Sequence, residues 1–132
     1  MSATGGCLCG AIRFTVESAP RAVHYCHCSL CRRATGGPFA VIVWVPSSAV
    51  RWEAALPQSR SSSRIARRSF CNGCGTPIYL EYYGSGEIGF MVGSFDEPNA
   101  FAPQYHYGIE GKLKWADAGA LLPPGRETEE GL

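Results

Sequence analysis

Cys26, Cys28 and Cys31 crowd into YCHCSLCRR (residues 25–33), with His27 between them and Arg32 and Arg33 directly after. Four more cysteines form two doublets: Cys7 and Cys9 in GGCLCG, and Cys71 and Cys74 in FCNGCG. Thiolates at such spacings are soft ligands suited to zinc. In extended backbone residues i and i+2 point to one face, so Cys7 and Cys9 can reach one ion. Cys71-x-x-Cys74 followed by Gly75 reads as a zinc-knuckle turn, in which glycine permits the tight backbone and freed amides can bond the sulfurs. Two plus two makes a tetrahedral four-thiolate zinc site with bonds of about 2.3 Å and no position left for substrate, which is a structural site. The competing reading makes one doublet a pair of ordinary buried cysteines. Doublets at ligand spacing, each flanked by glycine, speak against it.

Cys26, Cys28 and Cys31 remain. A catalytic zinc keeps three protein ligands and an exchangeable position, whereas a structural zinc is closed. A three-thiolate zinc carries one net negative charge, which Arg32 and Arg33 would offset while favouring an incoming thiolate. The metal would in turn lower that thiol's pKa. The alternative is a fourth ligand from His27, His24 or His106. His27 would leave a strand on the face opposite Cys26 and Cys28, and His106 lies in YHYGI, where a surface or core histidine is the commoner outcome. An iron–sulfur cluster is a further alternative, but the C-x-C pair and the glycine knuckles fit zinc better.

The rest of the chain bounds this chemistry. Its 132 residues suffice for one domain with a modest core. A net charge of +1 argues for neither a nucleic-acid nor a membrane-surface role. No apolar run reaches the roughly 18 residues of a transmembrane helix. MSATGGCLCGAIRF lacks the basic flank and apolar stretch of a signal peptide, so a cytoplasmic location is expected. In that reducing compartment seven cysteines, an odd number, make a poor disulfide framework.

The elements that must position the cysteines read as strands. In AIRFTV (11–16) Ile12, Phe14 and Val16 face one way, as in a half-buried strand. AVHY leads into the cysteine cluster as a short strand, and SLCRRATG reads as a turn or one helical turn stopped by Gly36, Gly37 and Pro38. FAVIVWV (39–45) suits a strand buried on both faces, ended by Pro46. PSSAVRWEAA could open a brief helix with Ser47 or Ser48 as N-cap. SSSRIARRSF (61–70) returns as a strand, TPIYLEYY and EIGFMVGSF flank the YGSGE turn as a hairpin, and YHYGI adds a strand. An ion joining the first and last doublets would clamp the ends of a sheet. The expected fold is mainly β, with twisted, mostly antiparallel strands stapled by zinc, and few short helical turns. Residues 1–122 are expected to form one domain, and 123–132 a flexible tail.

At this point the sequence resembles a known family. GGCLCGAIRF, YCHCSLCRRATGGPF, RSFCNGCGTPIY, VGSFDEPNAF and KLKWAD occur in the order found in the glutathione-dependent formaldehyde-activating (GFA-like) family, which includes the GFA domain of centromere protein V. The resemblance covers about residues 5–118 and all seven cysteines. It implies the β-tent (Mss4-like) fold. It also implies that Cys7, Cys9, Cys71 and Cys74 hold a structural zinc, and that Cys26, Cys28 and Cys31 hold a second, catalytic and exchangeable zinc. The implied activity is a carbon–sulfur lyase reaction, the condensation of formaldehyde with glutathione to S-hydroxymethylglutathione, and the implied partner is a small thiol such as glutathione.

Other features have more than one reading. Arg60, Arg64, Arg67 and Arg68 could attract the carboxylates of glutathione or a phosphate backbone, although a solvated strand face is the commoner outcome. Phe39, Phe70, Phe95 and Trp115 are expected in the core, one of them lining the second zinc site. Asp96 could bind substrate or serve turn chemistry, and Thr35, Gly36 and Gly37 could offer amides to a ligand or simply make a turn. Two functions follow: a zinc enzyme acting on thiol adducts, or a non-enzymatic zinc-stapled module binding a protein or nucleic acid.

Overall fold

The computed structural model describes residues 2–125. Its strands are β1 (Ala3–Gly6), β2 (Arg13–Val16), β3 (Ala22–Cys26), β4 (Ala40–Pro46), β5 (Val50–Trp52), β6 (Gln58–Ser61), β7 (Ala66–Phe70), β8 (Pro77–Tyr82), β9 (Glu87–Met91) and β10 (Tyr105–Tyr107). One α-helix, α1 (Ser29–Thr35), lies between β3 and β4, and the remaining helical pieces are single 3-10 turns. The strands form a three-stranded sheet, β1-β2-β5, and a seven-stranded sheet, β10-β3-β4-β9-β8-β7-β6. This is the mainly β architecture of two sheets expected of the β-tent fold. Every pairing is antiparallel except that of the edge strand β10, which runs parallel to β3.

β4 shows why the large sheet has two covered faces. Val43 and Val45 belong to an apolar cluster that includes Ile12, Phe14 and Val16 of the small sheet's β2 segment. Ala40, Ile42 and Trp44 belong to a second cluster that includes Cys26, Cys31 and Leu80. The continuous apolar run of the sequence is thus a strand buried on both sides. Between the sheets Phe14 stacks on Phe90 with centroids 4.3 Å apart, and both rings are essentially buried. Burying each ring contributes about 1.5–3 kcal/mol. The expected alternation of Ile12, Phe14 and Val16 faces this layer.

Two expectations fail locally: the helix after Pro46, and a strand over the whole of 61–70, which begins only at Ala66. The segment after Pro46 forms only a 3-10 turn, Ser47–Ala49, without a side-chain cap, and continues as β5. Val50 and Trp52 pack partly buried against the inter-sheet core, and that tertiary contact outweighs the capping signal of the serines. The strand β6 has no sequence signal because Gln58–Ser61 is polar and wholly exposed, and it forms by pairing with β7. Of the tail expected over 123–132, residues 126–132 lie outside the described residues.

Beyond β9 the chain is tied back to the small sheet. Arg13 donates to both oxygens of Asp96 at 3.0 and 2.5 Å, and the Thr4 hydroxyl donates at 2.6 Å. These bonds hold the Asp96 carboxyl down at about 2, below its ordinary 3.8. Asp96 is therefore a structural tie. A folded-state pKa below the unfolded one gives stability that is present above about pH 4 and lost as pH falls through 2. Asp96→Asn is expected to lower the urea midpoint at pH 7 relative to the parent. Parallel urea titrations of the two proteins at pH 7 measure this.

Candidate metal centres

The Sγ atoms of Cys7, Cys9, Cys71 and Cys74 all lie within 4.8 Å of one another. Each doublet sits in a turn at the end of a strand, Cys7–Cys9 after β1 and Cys71–Cys74 after β7. The turns share one design. The Gly10 amide donates to the Cys7 carbonyl at 3.2 Å and the Gly75 amide to the Cys71 carbonyl at 2.8 Å, with both glycines at positive φ (84° and 79°). A side chain would be strained there. Cys7 and Cys9 thus reach one point by a turn, not from the extended backbone the sequence suggested. β1 belongs to the small sheet and β7 to the large one, so the cluster joins two sheets instead of clamping the ends of one.

Donors already surround these sulfurs. The Ile12 amide points at Cys7 Sγ and the Gly73 amide at Cys71 Sγ, each at 3.3 Å, and the Thr76 hydroxyl lies 3.1 Å from Cys74 Sγ. The Thr76 hydroxyl and amide pull the Cys74 thiol down to about 5, which favours the thiolate a metal needs. A tetrahedral zinc with bonds of about 2.3 Å has sulfur–sulfur edges of about 3.8 Å. Cys9 and Cys71 are 3.8 Å apart, and Cys7 and Cys9 are 3.5 Å apart. The four residues fit such an ion.

Cys26, Cys28 and Cys31 form the second group within 4.8 Å. Cys26 ends β3, Cys28 is the N-cap of α1, and Cys31 lies in the first helical turn with its amide donating to Cys28 Sγ at 3.4 Å. Cys26 and Cys28 sulfurs are 3.5 Å apart, again close to a zinc–thiolate edge. Cys26 and Cys31 are buried. The helix ends as the sequence indicated: the Thr35 hydroxyl donates to the Cys31 carbonyl, and Gly36 takes the left-handed conformation at the C-cap. Thr35, Gly36 and Gly37 are therefore turn-makers.

No histidine joins this group among the described residues. His27 is 1% exposed, with its Nε2 2.9 Å from His106 Nδ1 and its ring packed on Tyr25 and Phe39. His24 accepts from the Trp44 indole N–H at 2.9 Å through Nε2, so its Nδ1–H donates to the Tyr25 carbonyl at 2.9 Å. Both ring nitrogens of His24 are thereby used.

The cation at the cluster is not Arg32 or Arg33 but Arg68 of β7, whose Nη2 donates to Cys31 Sγ at 3.6 Å. The Cys26 thiol and then Arg68 pull the Cys31 thiol well below the ordinary range against the effect of burial, while the same contact pushes Cys26 up. Within the basic stretch only Arg68 has this role. Arg67 pairs with Glu81 at 2.6 Å, and Arg60 and Arg64 are exposed.

The three thiols stand in the wall of a cleft of about 820 Å³ on the face of the large sheet. Ile42, Trp44 and Leu80 line it, with Tyr82, Tyr105 and Tyr107. None of the aromatic residues expected at the site lines this cleft. Phe95 is buried in the inter-sheet core, Phe39 and Phe70 are half-buried, and Trp115 is 63% exposed. The signal that could have found the true lining is the parity of β4: Trp44 shares its face with Ala40, the pairing partner of Cys26.

A model of the family described as "Glutathione-dependent formaldehyde-activating enzyme" matches residues 2–110. A protein of Schizosaccharomyces pombe (strain 972 / ATCC 24843), named an uncharacterized lyase, is 33% identical over 78 residues. The match covers 59% of this chain and 56% of that protein, so the chain spans little more than half the relative's length. The crystal structure of a Rhodobacter sphaeroides protein superposes with a TM-score of 0.63 at 24% identity, covering 78% of this chain and 98% of the other. That likeness is one of fold.

Proposed function

The chain belongs to the glutathione-dependent formaldehyde-activating enzyme family, and from that premise we propose that it is a zinc-dependent, carbon–sulfur lyase-type enzyme acting on adducts of glutathione or a similar small thiol. One observation carries this reading: three buried or half-buried thiols open on a cleft, with no fourth protein ligand among the described residues and a guanidinium at one sulfur. In this reading Cys7, Cys9, Cys71 and Cys74 hold a structural zinc, and residues 1–122 form one cytoplasmic domain. Cys26, Cys28 and Cys31 hold a second, exchangeable zinc.

A zinc ion at the second group supplies Lewis-acid charge that keeps a bound thiol deprotonated. The chain's own residues do the rest. Cys28 and Cys31 are fixed by the helix start and Cys26 by the strand end, so the three sulfurs are preorganised. Arg68 offsets negative charge where a fourth thiolate, that of the substrate, arrives. The cleft walls hold thiol and carbonyl carbon together, which supplies most of the acceleration such an addition needs. In the reaction a C–S bond forms, the carbonyl π bond breaks, and the thiol's proton ends on the new hydroxyl oxygen.

Metal analysis combined with glutathione titration, alone and with formaldehyde, tests the proposal. The expected result is two zinc ions per chain, one exchangeable, and saturable glutathione binding that formaldehyde alters. One tightly held zinc with no response to thiols would instead identify a non-enzymatic binding module.

A further inference from the structure

The cleft is much larger than a one-carbon aldehyde requires, and its surface is aromatic in an ordered way. The Tyr82 ring lies within 16° of parallel to Trp44, with centroids 5.8 Å apart. Trp44 lies within 17° of His24, and His24 within 17° of Tyr105, at 6.5 and 5.0 Å. These four rings come from β8, β4, β3 and β10, so the ladder crosses the sheet. The intervening strand β9 contributes no side chain at Gly89, where a Cβ would stand 2.9 Å from the Trp44 ring and 2.7 Å from Ile42. The indole lies across that gap. The two middle rings, Trp44 and His24, are buried, while the end rings Tyr82 and Tyr105 remain 39% and 48% exposed among the described residues.

Four charged residues line the cleft: Arg21, Arg68, Glu87 and Glu110. Arg68 sits at the sulfur end without a carboxylate partner among the described residues, while Arg21 is held by both oxygens of Glu87 at 2.6 and 3.0 Å. The exposed large apolar side chains of the lining are Leu30, Ile65, Tyr82, Tyr105 and Tyr107, and they are what the cleft offers to whatever follows the sulfur. Trp44 is four residues along β4 from Ala40, the partner of Cys26. At the rise of a strand this places its backbone about 13 Å from the thiol end, with Ile42 about halfway.

The geometry points to an aromatic aldehyde as the carbonyl substrate, its ring joined to the aldehyde carbon by two or three carbons and seated on the exposed Tyr82 ring at the end of the ladder. This deepens the proposed function and rests on the thiol reading of the three cysteines. The product is a thiohemiacetal: the thiol sulfur bonds the aldehyde carbon, the carbonyl π electrons take the thiol proton as a hydroxyl, and no oxidant or reductant is needed. Parallel rings at offset-stacking distance favour a flat arene over a saturated ring of equal area.

Stable thioethers of glutathione mimic the adduct and test this by calorimetric binding to the zinc-loaded full chain. S-(3-phenylpropyl)glutathione is expected to bind about tenfold or more tightly than S-methylglutathione, and about two- to fivefold more tightly than S-(3-cyclohexylpropyl)glutathione. Saturation-transfer NMR should show the phenyl protons as the most strongly contacted. Tyr82→Leu should abolish the preference for phenyl over cyclohexyl, and Tyr105→Leu, at a more exposed ring, should reduce it. If glutathione binds but the three thioethers bind alike, the aromatic inference is overturned and the thiol reading stands. If neither glutathione nor any thioether binds, both fall.

Discussion

Cys71→Ser is expected to release one of two zinc ions and to abolish cooperative unfolding near physiological temperature. Its thiol is 2% exposed and lies at the junction of the turns after β1 and β7, so the ligand set closes a loop of more than sixty residues between two sheets. A structural four-thiolate zinc contributes about 10–16 kcal/mol of apparent binding free energy. The whole stability of an ordinary domain is about 5–15 kcal/mol. Losing one ligand need not remove all the metal's contribution, but a small fraction of it exceeds what the fold can spare. The three-stranded sheet would then rest on the Phe14 layer and the Asp96 tie. Metal content and a circular dichroism melt of the purified variant check this. A variant that keeps both ions and the parent melting temperature would refute a structural role for the four-cysteine group.

Changes at the other cluster should separate binding from folding. Cys31→Ser is expected to lose the second ion and glutathione binding, with kcat/KM reduced by about a thousandfold or more, because an exchangeable three-ligand site has no spare donor. The first ion and most of the thermal stability should remain, since α1 and β3 are held by the rest of the sheet. Arg68→Met, which leaves every ligand in place, should weaken glutathione binding by about 10- to 100-fold, the usual effect of removing a group that bonds a ligand atom. Arg68→Lys should recover part of that loss because the charge persists while the guanidinium contact to Cys31 does not. Calorimetry with glutathione and separate determination of kcat and KM measure both. Arg68→Met binding glutathione like the parent would remove Arg68 from the site.

Much of the metal chemistry was legible because ligand spacing is a local property. Cys7-x-Cys9 and Cys71-x-x-Cys74 can bring two sulfurs together through three or four residues of backbone, and neighbouring glycines permit the turns. His27 was correctly kept out of the group of Cys26, Cys28 and Cys31 by the same short-range logic. The run FAVIVWV announced a strand covered on both faces by composition alone. The resemblance in the cysteine motifs pointed to the family that the match over residues 2–110 establishes.

What failed or stayed open depended on partners distant in sequence. Arg32 and Arg33 adjoin Cys31 along the chain, yet Arg68, thirty-seven residues away, reaches its sulfur because β7 and α1 meet across the large sheet. Trp115 looked like core and is exposed, while Tyr82, Tyr105 and Trp44 line a cleft that no single segment encodes. The sequence by itself therefore determined which cysteines group together and that the domain is mainly β, since turn geometry and side-chain alternation act over a few residues. Only the tertiary structure decided which cation faces the thiols, that both nitrogens of His24 are engaged, and that an aromatic trough runs from the three sulfurs. Those features arise where strands from distant parts of the chain pair in register, and that register is set by burial of the whole sheet.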